Sequence, residues 1–119
     1  MTEHLKLSYV EYPANDISAT KAFFQSVFQW SFEDYGPEYS SFSNAGLKGG
    51  FYKSDLASST KTGAALIVFY SKTLEATQRE IEKAGGEIVK PIFSFPGGRR
   101  FHFVEPSGNE FGVWSDIDA

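Results

Sequence analysis

The stretch FPGGRRFHFVEPSGNEFGVWS, residues 95–115, contains two alternating patterns separated by a Pro-Ser-Gly-Asn turn. Phenylalanines alternate with polar residues over 99–104, and a second alternating run over 110–114 ends in tryptophan. Alternation with a period of two is typical of a strand that buries one face. The stretch therefore predicts an antiparallel strand pair that buries its phenylalanines and places Arg100 and His102 on the opposite face.

The segment before this pair predicts a strand, a helix and another strand. The run over 64–70 is strongly apolar and rich in β-formers, which favours a strand. A helix follows with its N-cap at Thr73, and it ends at Gly85-Gly86, because glycine is favoured where a helix terminates. A further strand covers 87–90. The C-terminal half therefore reads as one strand, one helix and three strands.

The N-terminal half gives the same order of elements. Alternation over 7–14 predicts a strand, and Asn15 or Asp16 supplies the N-cap of a helix over 17–28. Tyr-Gly-Pro and Asn-Ala-Gly turns then separate three short strand candidates. These candidates cover 30–33, 39–43 and 50–53.

The two halves also agree in detail. DISATKAF (16–23) aligns with TLEATQRE (73–80), and the turn glycines Gly46 and Gly108 are each followed at the same distance by another glycine. We therefore predict an α+β fold built from two tandem βαβββ modules. The predicted modules span about 1–54 and 63–119, with a polar linker at about 55–62, within a single domain covering 1–119.

The composition is that of an ordinary folded domain with an unusually high aromatic content. The chain has 119 residues, a formal charge of -4, no cysteine, and 12 Phe, 6 Tyr and 2 Trp. The acidic balance argues against binding to nucleic-acid phosphates, and no apolar run reaches membrane-spanning length. Without cysteine, disulfides and thiolate metal sites are excluded. We expect a cytoplasmic protein whose partner is a small-molecule ligand rather than nucleic acid or a membrane.

Three segments carry a family resemblance: YPANDISATKAFF and VFQW in the first module, and FVEPSGNEFGVW in the second. Together with the tandem modules, they resemble the vicinal oxygen chelate superfamily, which includes glyoxalase I, extradiol dioxygenases and bleomycin-resistance proteins. The resemblance covers residues from about 7 to 116. It implies that the modules form an open, curved, barrel-like sheet around a ligand cavity, with the helices outside. It also implies a homodimer.

The resemblance locates the positions of the family's divalent-metal ligands, and this sequence lacks suitable residues there. Metal enzymes of the family use His, Gln or Glu near the middles of equivalent strands. By position, these ligands would fall on Tyr9, Gly50, Ala65 or Leu66, and Gly112. We therefore expect no metal and no cofactor. An atypical site formed by His102 with Glu11 and Glu110 stays open, since one nitrogen and two carboxylate ligands suit Mn, Fe or Zn chemically.

Strand alternation assigns the candidate site residues to one side of each strand. We predict Glu11, Arg100 and His102 as the catalytic group. Arg100 would stabilise a developing oxyanion, while Glu11 or His102 acts as the general base. The predicted substrate-binding residues are Tyr9, Tyr52, Glu110 and Trp114.

Five of these residues also have a purely structural interpretation. Arg100 and Glu11 would form an ion pair that closes the sheet, because buried charges need partners. His102 would be a hydrogen-bonded core histidine, and Glu110 would be solvated beside the turn. Trp114 would be a core residue or a dimer contact.

Two classes of function fit these observations. The first is a metal-independent small-molecule-binding protein of the glyoxalase/bleomycin-resistance type, acting as a lyase or isomerase on a carbonyl-bearing metabolite. The alternative is a drug- or metabolite-sequestering protein without catalysis. The acidic balance and the aromatic content agree with this alternative, since aromatic faces hold cationic groups. Against it, Arg100 would repel a cation unless Glu11 neutralises its charge. A dimeric regulator is a third interpretation.

Overall fold

The computed structural model describes residues 2–117, and the first half of the chain forms a four-stranded mixed sheet, sheet A, with one helix. Its elements are β1 (Tyr9–Ala14), α1 (Ile17–Phe28), β2 (Ser31–Asp34), β3 (Tyr39–Ser43) and β4 (Lys48–Lys53). The strand order is β1-β4-β3-β2. β1 pairs with β4 in parallel, and the other neighbours are antiparallel.

The second half repeats this arrangement in sheet B. Its elements are β5 (Ile67–Tyr70), α2 (Leu74–Lys83), β6 (Glu87–Phe95), β7 (Gly98–Val104) and β8 (Glu110–Ser115). The order is β5-β8-β7-β6, again with the first strand parallel to the last. A short 3-10 helix, Thr60–Thr62, lies between the two halves. The predicted α+β fold of two tandem βαβββ modules is confirmed, and the sheets do not close into a barrel.

The largest difference from the predicted elements lies in β6. The sequence predicted a strand that ends at Lys90, whereas β6 continues to Phe95. Pro91 follows the predicted end, and proline usually argues against a continuing strand. β6 is the edge strand of sheet B, where a missing N–H is tolerated, and its pairing with β7 shifts register twice around this proline.

The two helices begin where the capping residues predict. Asp16 caps α1 by accepting a hydrogen bond from the backbone N–H of Ala19, at 3.0 Å. Thr73 is the N-cap residue of α2, but its side chain makes no capping hydrogen bond. Within residues 2–117, no helix combines the length and the hydropathy needed to cross a bilayer.

One aromatic core serves both sheets, with α1 at its centre. The Phe24 ring lies 5.7 Å from the Phe51 ring of sheet A and 5.3 Å from the Phe111 ring of sheet B, measured between centroids. Phe28 stacks on Phe69 of sheet B at 4.0 Å. Much of the unusual aromatic content therefore fills the core, which joins the two modules.

A buried carboxylate also joins the modules. Glu105 accepts hydrogen bonds from Thr20 Oγ1 in α1 (2.6 Å) and from Ser107 N (2.9 Å). It accepts two more from the backbone N (3.2 Å) and side-chain Nδ2 (2.7 Å) of Asn109. The same Nδ2 donates to the carbonyl of Pro13 in β1. The Glu-Pro-Ser-Gly-Asn turn of the second module is therefore fixed to the first module.

Each sheet has an outer face, defined as the side that points away from the common core. Cross-strand register and alternation determine which residues lie on it. The outer face of sheet A contains Tyr9, Glu11, Ser31, Glu33, Tyr39, Ser41, Lys48, Gly50 and Tyr52. The outer face of sheet B contains Val68, Tyr70, Lys90, Phe93, Arg100, His102, Glu110, Gly112 and Trp114. The predicted alternation in β7 is correct, because Phe101 and Phe103 are fully buried in the core.

Candidate functional site

A chain of hydrogen bonds crosses the outer face of sheet B. Arg100 Nη2 lies 2.7 Å from His102 Nε2, and His102 Nδ1 lies 2.8 Å from Glu110 Oε2. Glu110 Oε1 accepts from the backbone N (2.8 Å) and the hydroxyl (2.9 Å) of Thr60. The chain connects β7, β8 and the 3-10 helix.

The partners of His102 determine its tautomer. A guanidinium can only donate hydrogen bonds, so His102 Nε2 must accept from Arg100. Nδ1 then carries the proton and donates it to the Glu110 carboxylate. In this geometry His102 is neutral, and its basic nitrogen is covered by Arg100.

Glu110 is held in its ionised form. Burial alone would raise the pKa of this carboxyl group, but hydrogen bonds from Thr60 and His102 outweigh burial and lower the pKa below its usual value. A carboxylate that orients an imidazole through Nδ1 also stabilises the imidazolium that forms when Nε2 takes up a proton. The pair can therefore act as a general base once Nε2 becomes accessible.

Arg100 lies against aromatic rings and has unused hydrogen-bonding capacity. Its guanidinium carbon is 5.7 Å from the Phe93 ring centroid and 5.9 Å from that of Phe95. Its Nε atom is buried and has no hydrogen-bond partner among the described residues. Buried donors are normally satisfied, so an unpaired one is a feature that a ligand would explain.

Trp114 forms a neighbouring wall on the same face. It lies opposite Arg100 in the β7–β8 register. Its ring packs against Tyr70 at 5.1 Å and against Phe95 at 6.2 Å. Gly112, opposite His102, has no side chain to cover the imidazole.

A second polar cluster lies on the outer face of sheet A. The Tyr39 hydroxyl donates to Glu11 Oε2 at 2.9 Å and lies 2.6 Å from the Tyr9 hydroxyl. Next to it is an open cavity of about 620 Å³. Tyr9, Glu33, Tyr35, Ser41 and Lys48 are among the residues that line this cavity.

The structure divides the predicted site residues between the two outer faces. Arg100, His102, Glu110 and Trp114 lie on sheet B, whereas Tyr9, Glu11 and Tyr52 lie on sheet A. Within residues 2–117, no hydrogen bond or ion pair connects Glu11 with Arg100 or His102. Within one copy of the protein, these three residues therefore do not form a single cluster.

Two residues of the sheet B cluster were not predicted. Thr60 lies in a segment that has no periodicity and was interpreted as a linker. Phe93 lies in the part of β6 that follows Pro91, beyond the predicted end of the strand. Recognition of the edge position of β6 would have identified Phe93, whereas no local signal points to Thr60.

The positions at which the resembling family holds its metal do not form a metal site here. A Cβ atom at Gly50 would overlap the ring and hydroxyl of Tyr39. A Cβ at Gly112 would point at the side chains of Val68 and Leu66. Within residues 2–117, no three His, Asp or Glu side chains are grouped closely enough to hold a metal ion. The residues present do not fit a divalent metal.

A protein-family model matches most of the chain. The model of the Glyoxalase/Bleomycin resistance protein/Dioxygenase superfamily matches residues 6–113. Comparison with curated proteins gives no match.

Several solved structures share the fold at low sequence identity. A glyoxalase-related enzyme from Fulvimarina pelagi superposes with a TM-score of 0.77 at 14% identity, covering 93% of this chain and 88% of the other. The genomically encoded fosfomycin resistance protein from Listeria monocytogenes gives 0.77 at 21% identity, covering 94% and 90%. Lactoylglutathione lyase from Agrobacterium tumefaciens gives 0.69 at 16% identity, covering 96% of both chains. These similarities establish the fold.

Proposed function

This chain belongs to the glyoxalase/bleomycin resistance protein/dioxygenase superfamily, and we propose that it binds a small anionic, carbonyl-bearing molecule and acts on it without a metal ion. The observation that carries the proposal is the hydrogen-bond chain from Arg100 through His102 and Glu110 to Thr60. These hydrogen bonds place a cation, the Arg100 guanidinium, beside a base, the His102 imidazole. Membership of the superfamily does not by itself select a chemistry, so the proposal rests on these residues.

Arg100 has two roles in this proposal. Its guanidinium binds the anionic group of the ligand, and this interaction draws it away from His102 Nε2. The imidazole then has a free lone pair. The base therefore becomes available only when an anion is bound.

His102 then removes a proton from the carbon next to the ligand's carbonyl group. The C–H electron pair moves into a new carbon–carbon double bond, and the carbonyl oxygen becomes an enolate oxygen that Arg100 stabilises. Return of the proton to a different carbon completes an isomerisation. Departure of a leaving group from the adjacent carbon completes an elimination. The site residues therefore suit an isomerase or a lyase.

One structure that shares the fold was solved with an anionic ligand. The Listeria fosfomycin resistance protein was solved with Mn(II) and 1S,2S-dihydroxypropylphosphonic acid, which is a phosphonate. In this protein the guanidinium of Arg100 would provide the positive charge that pairs with the anionic group of the ligand.

We also propose a homodimer in which the outer face of sheet A in one copy lies against the outer face of sheet B in the other. Both faces carry partly exposed apolar groups, including Tyr52 and Tyr70. Their charges are complementary, with Glu11 on sheet A and Arg100 on sheet B. Such a dimer would bring Glu11, Tyr9 and Tyr52 to the Arg100–His102 cluster. Sedimentation equilibrium should give twice the 13.2 kDa chain mass, and a monomer at all concentrations would refute the dimer.

The chemical proposal is tested with pyruvate, whose methyl protons lie next to a carbonyl group. In deuterium oxide, the protein should accelerate exchange of these protons, as followed by proton NMR. His102→Gln should remove the acceleration. Arg100→Ala should weaken pyruvate binding by about tenfold, because a charge-assisted hydrogen bond is lost.

Arg99→Ala is the matched control. Arg99 is an arginine in the same strand, but its side chain pairs with Glu75 through Nη1 at 2.6 Å. This variant removes the same charge and should leave pyruvate binding unchanged. Binding without exchange would support the sequestering alternative and overturn the catalytic proposal. Equal weakening by both variants would mean that only net charge matters, and Arg100 would lose its assigned role.

A further inference from the structure

A cavity of about 300 Å³ is lined by edge strands of both sheets, β1 of sheet A and β5 of sheet B. Val10 and Tyr12 contribute from β1, and their side chains lie on the core side of sheet A, opposite to Tyr9 and Glu11. Most of the other lining residues also belong to the core or pack against it. The cavity is therefore separate from the polar clusters on the two outer faces.

The walls of this cavity are aromatic or aliphatic. Among the described residues that line it, none carries a charge. The Phe42 ring stacks on the Trp30 ring at 4.2 Å between centroids, and it occupies the space that a Cβ at Gly49 would fill. An ion in this cavity would lose its hydration without gaining a partner of opposite charge. The cavity therefore favours an uncharged ligand.

Two buried hydrogen-bond donors in the wall have no partner among residues 2–117. Tyr12 and Trp30 are 4% and 7% exposed, and neither the phenol O–H nor the indole N–H makes a hydrogen bond to a described residue. The hydroxyl of Tyr70, which also lines the cavity, is already used, because it donates to Asp116 Oδ1 at 2.5 Å. Buried polar groups are normally satisfied, so the two unpaired donors indicate a missing acceptor.

The Tyr12 phenol keeps its proton, and water is a poor partner for it. Burial raises the pKa of this phenol well above its ordinary value, so the group stays a donor. A buried water molecule typically makes about three hydrogen bonds. The lining side chains offer it only Tyr12 and Trp30. An organic molecule that brings one acceptor and fills the apolar space would suit this cavity better than water does.

We propose that this cavity binds an uncharged organic molecule with an aromatic ring and one hydrogen-bond acceptor, such as a carbonyl oxygen. The acceptor would receive a hydrogen bond from Tyr12 or Trp30, and the ring would pack against Phe42 and Phe69. The volume of about 300 Å³ lies at the lower end of the range for small-molecule sites. A bound ligand would contact both modules.

The test compares two probes of nearly the same shape, acetophenone and α-methylstyrene, of which only acetophenone has a carbonyl oxygen. Calorimetry should detect tighter binding of acetophenone. In proton–carbon NMR spectra, both probes should shift the methyl signals of Val10 and Ile67, which line the cavity. Benzoate has a similar shape and a negative charge, and it should leave these methyl signals unchanged because the cavity offers it no counter-charge.

Tyr12→Phe removes the unpaired hydroxyl and nothing else. It should weaken acetophenone binding by about fivefold and leave α-methylstyrene binding unchanged, because only the carbonyl loses a hydrogen bond. Its free energy of unfolding should not fall, since the hydroxyl has no partner in the unliganded protein. Tyr35→Phe is the matched control: Tyr35 is 60% exposed and lies outside this cavity, so its loss of a hydroxyl should affect neither probe.

Ala45→Leu enlarges a side chain that lines the cavity from the turn between β3 and β4. It should weaken binding of both probes by at least about tenfold, because it fills space that the ligand needs. Unchanged binding to this variant would place the probes elsewhere and overturn the inference.

Three other results would also overturn it. One is the absence of binding of both probes to the parent protein, and another is equal binding of acetophenone to the parent and to Tyr12→Phe. The third is binding that disappears as the protein self-associates, because a second copy would then occupy the cavity. None of these results depends on the site proposed on sheet B, which pyruvate exchange tests separately.

Discussion

Glu105 and Glu110 belong to the same hairpin and are both buried, at 2% and 6% exposure, yet their hydrogen bonds lead to different places. The partners of Glu105 are a helix hydroxyl and the turn itself, so its network ends inside the protein. One oxygen of Glu110 binds Thr60, which is exposed, and the other binds His102. Through His102 the network reaches Arg100 on the outer face.

Burial alone therefore does not identify a functional carboxylate. The environment acts on the two groups in opposite directions: burial raises the pKa of Glu105, whereas the donors around Glu110 lower its pKa. Glu105 fixes the turn to α1. Glu110 orients a histidine that can exchange protons with a ligand.

The largest expected effect is on stability. Glu105→Ala would leave the backbone N–H groups of Ser107 and Asn109 buried without an acceptor, while the Thr20 hydroxyl would keep Ser107 Oγ as a partner at 2.7 Å. We expect it to lower the free energy of unfolding by about 3–5 kcal/mol, because each buried unsatisfied group costs about 1–3 kcal/mol. Glu110→Ala should cost less, about 1–3 kcal/mol, because it leaves one buried donor, His102 Nδ1–H, without an acceptor, whereas water can reach the exposed Thr60. Urea denaturation measures both.

Glu82→Ala is the control for this comparison. Glu82 is exposed on α2, and replacement at such a site changes stability by at most about 0.5 kcal/mol. If Glu105→Ala were no more harmful than Glu110→Ala, the network around Glu105 would not be what joins the two modules.

Much of the fold was predictable because its signals are local. Alternation placed Phe101 and Phe103 in the core, and the capping residue Asp16 marked the start of α1. The duplicated order of elements then specified two modules. β6 was predicted too short, since a local rule about Pro91 does not reveal that the strand lies at an edge.

The site was predictable only in part. Alternation shows which side of a strand a residue lies on, but it does not show what that side of the sheet faces in the folded protein. It correctly put Arg100 and His102 on one face and Glu11 on the matching face of the other module. The two faces lie away from a shared core, which is set by the packing of α1 between the sheets. No pattern in β1 or β7 encodes that packing.

The smallest expected effect is the pH dependence that each carboxylate contributes. The folded-state pKa of Glu110 lies below its unfolded value of 4.5, so the unfolded chain binds more protons there, and the contribution of Glu110 is lost as pH falls below 4.5. The folded-state pKa of Glu105 lies above 4.5, so its ionisation penalises the folded state as pH rises through and beyond 4.5. The difference in unfolding free energy between the parent protein and Glu110→Gln should therefore shrink as pH is lowered from 6 to 3, whereas the difference for Glu105→Gln should grow. Titrating groups that do not contact these two carboxylates are common to parent and variants and cancel in these differences. Because His102 contacts Glu110, the Glu110 comparison is made in a His102→Gln background. Urea titrations across this pH range check the signs, and two differences that move in the same direction would show that the hairpin does not hold its carboxylates in opposite environments.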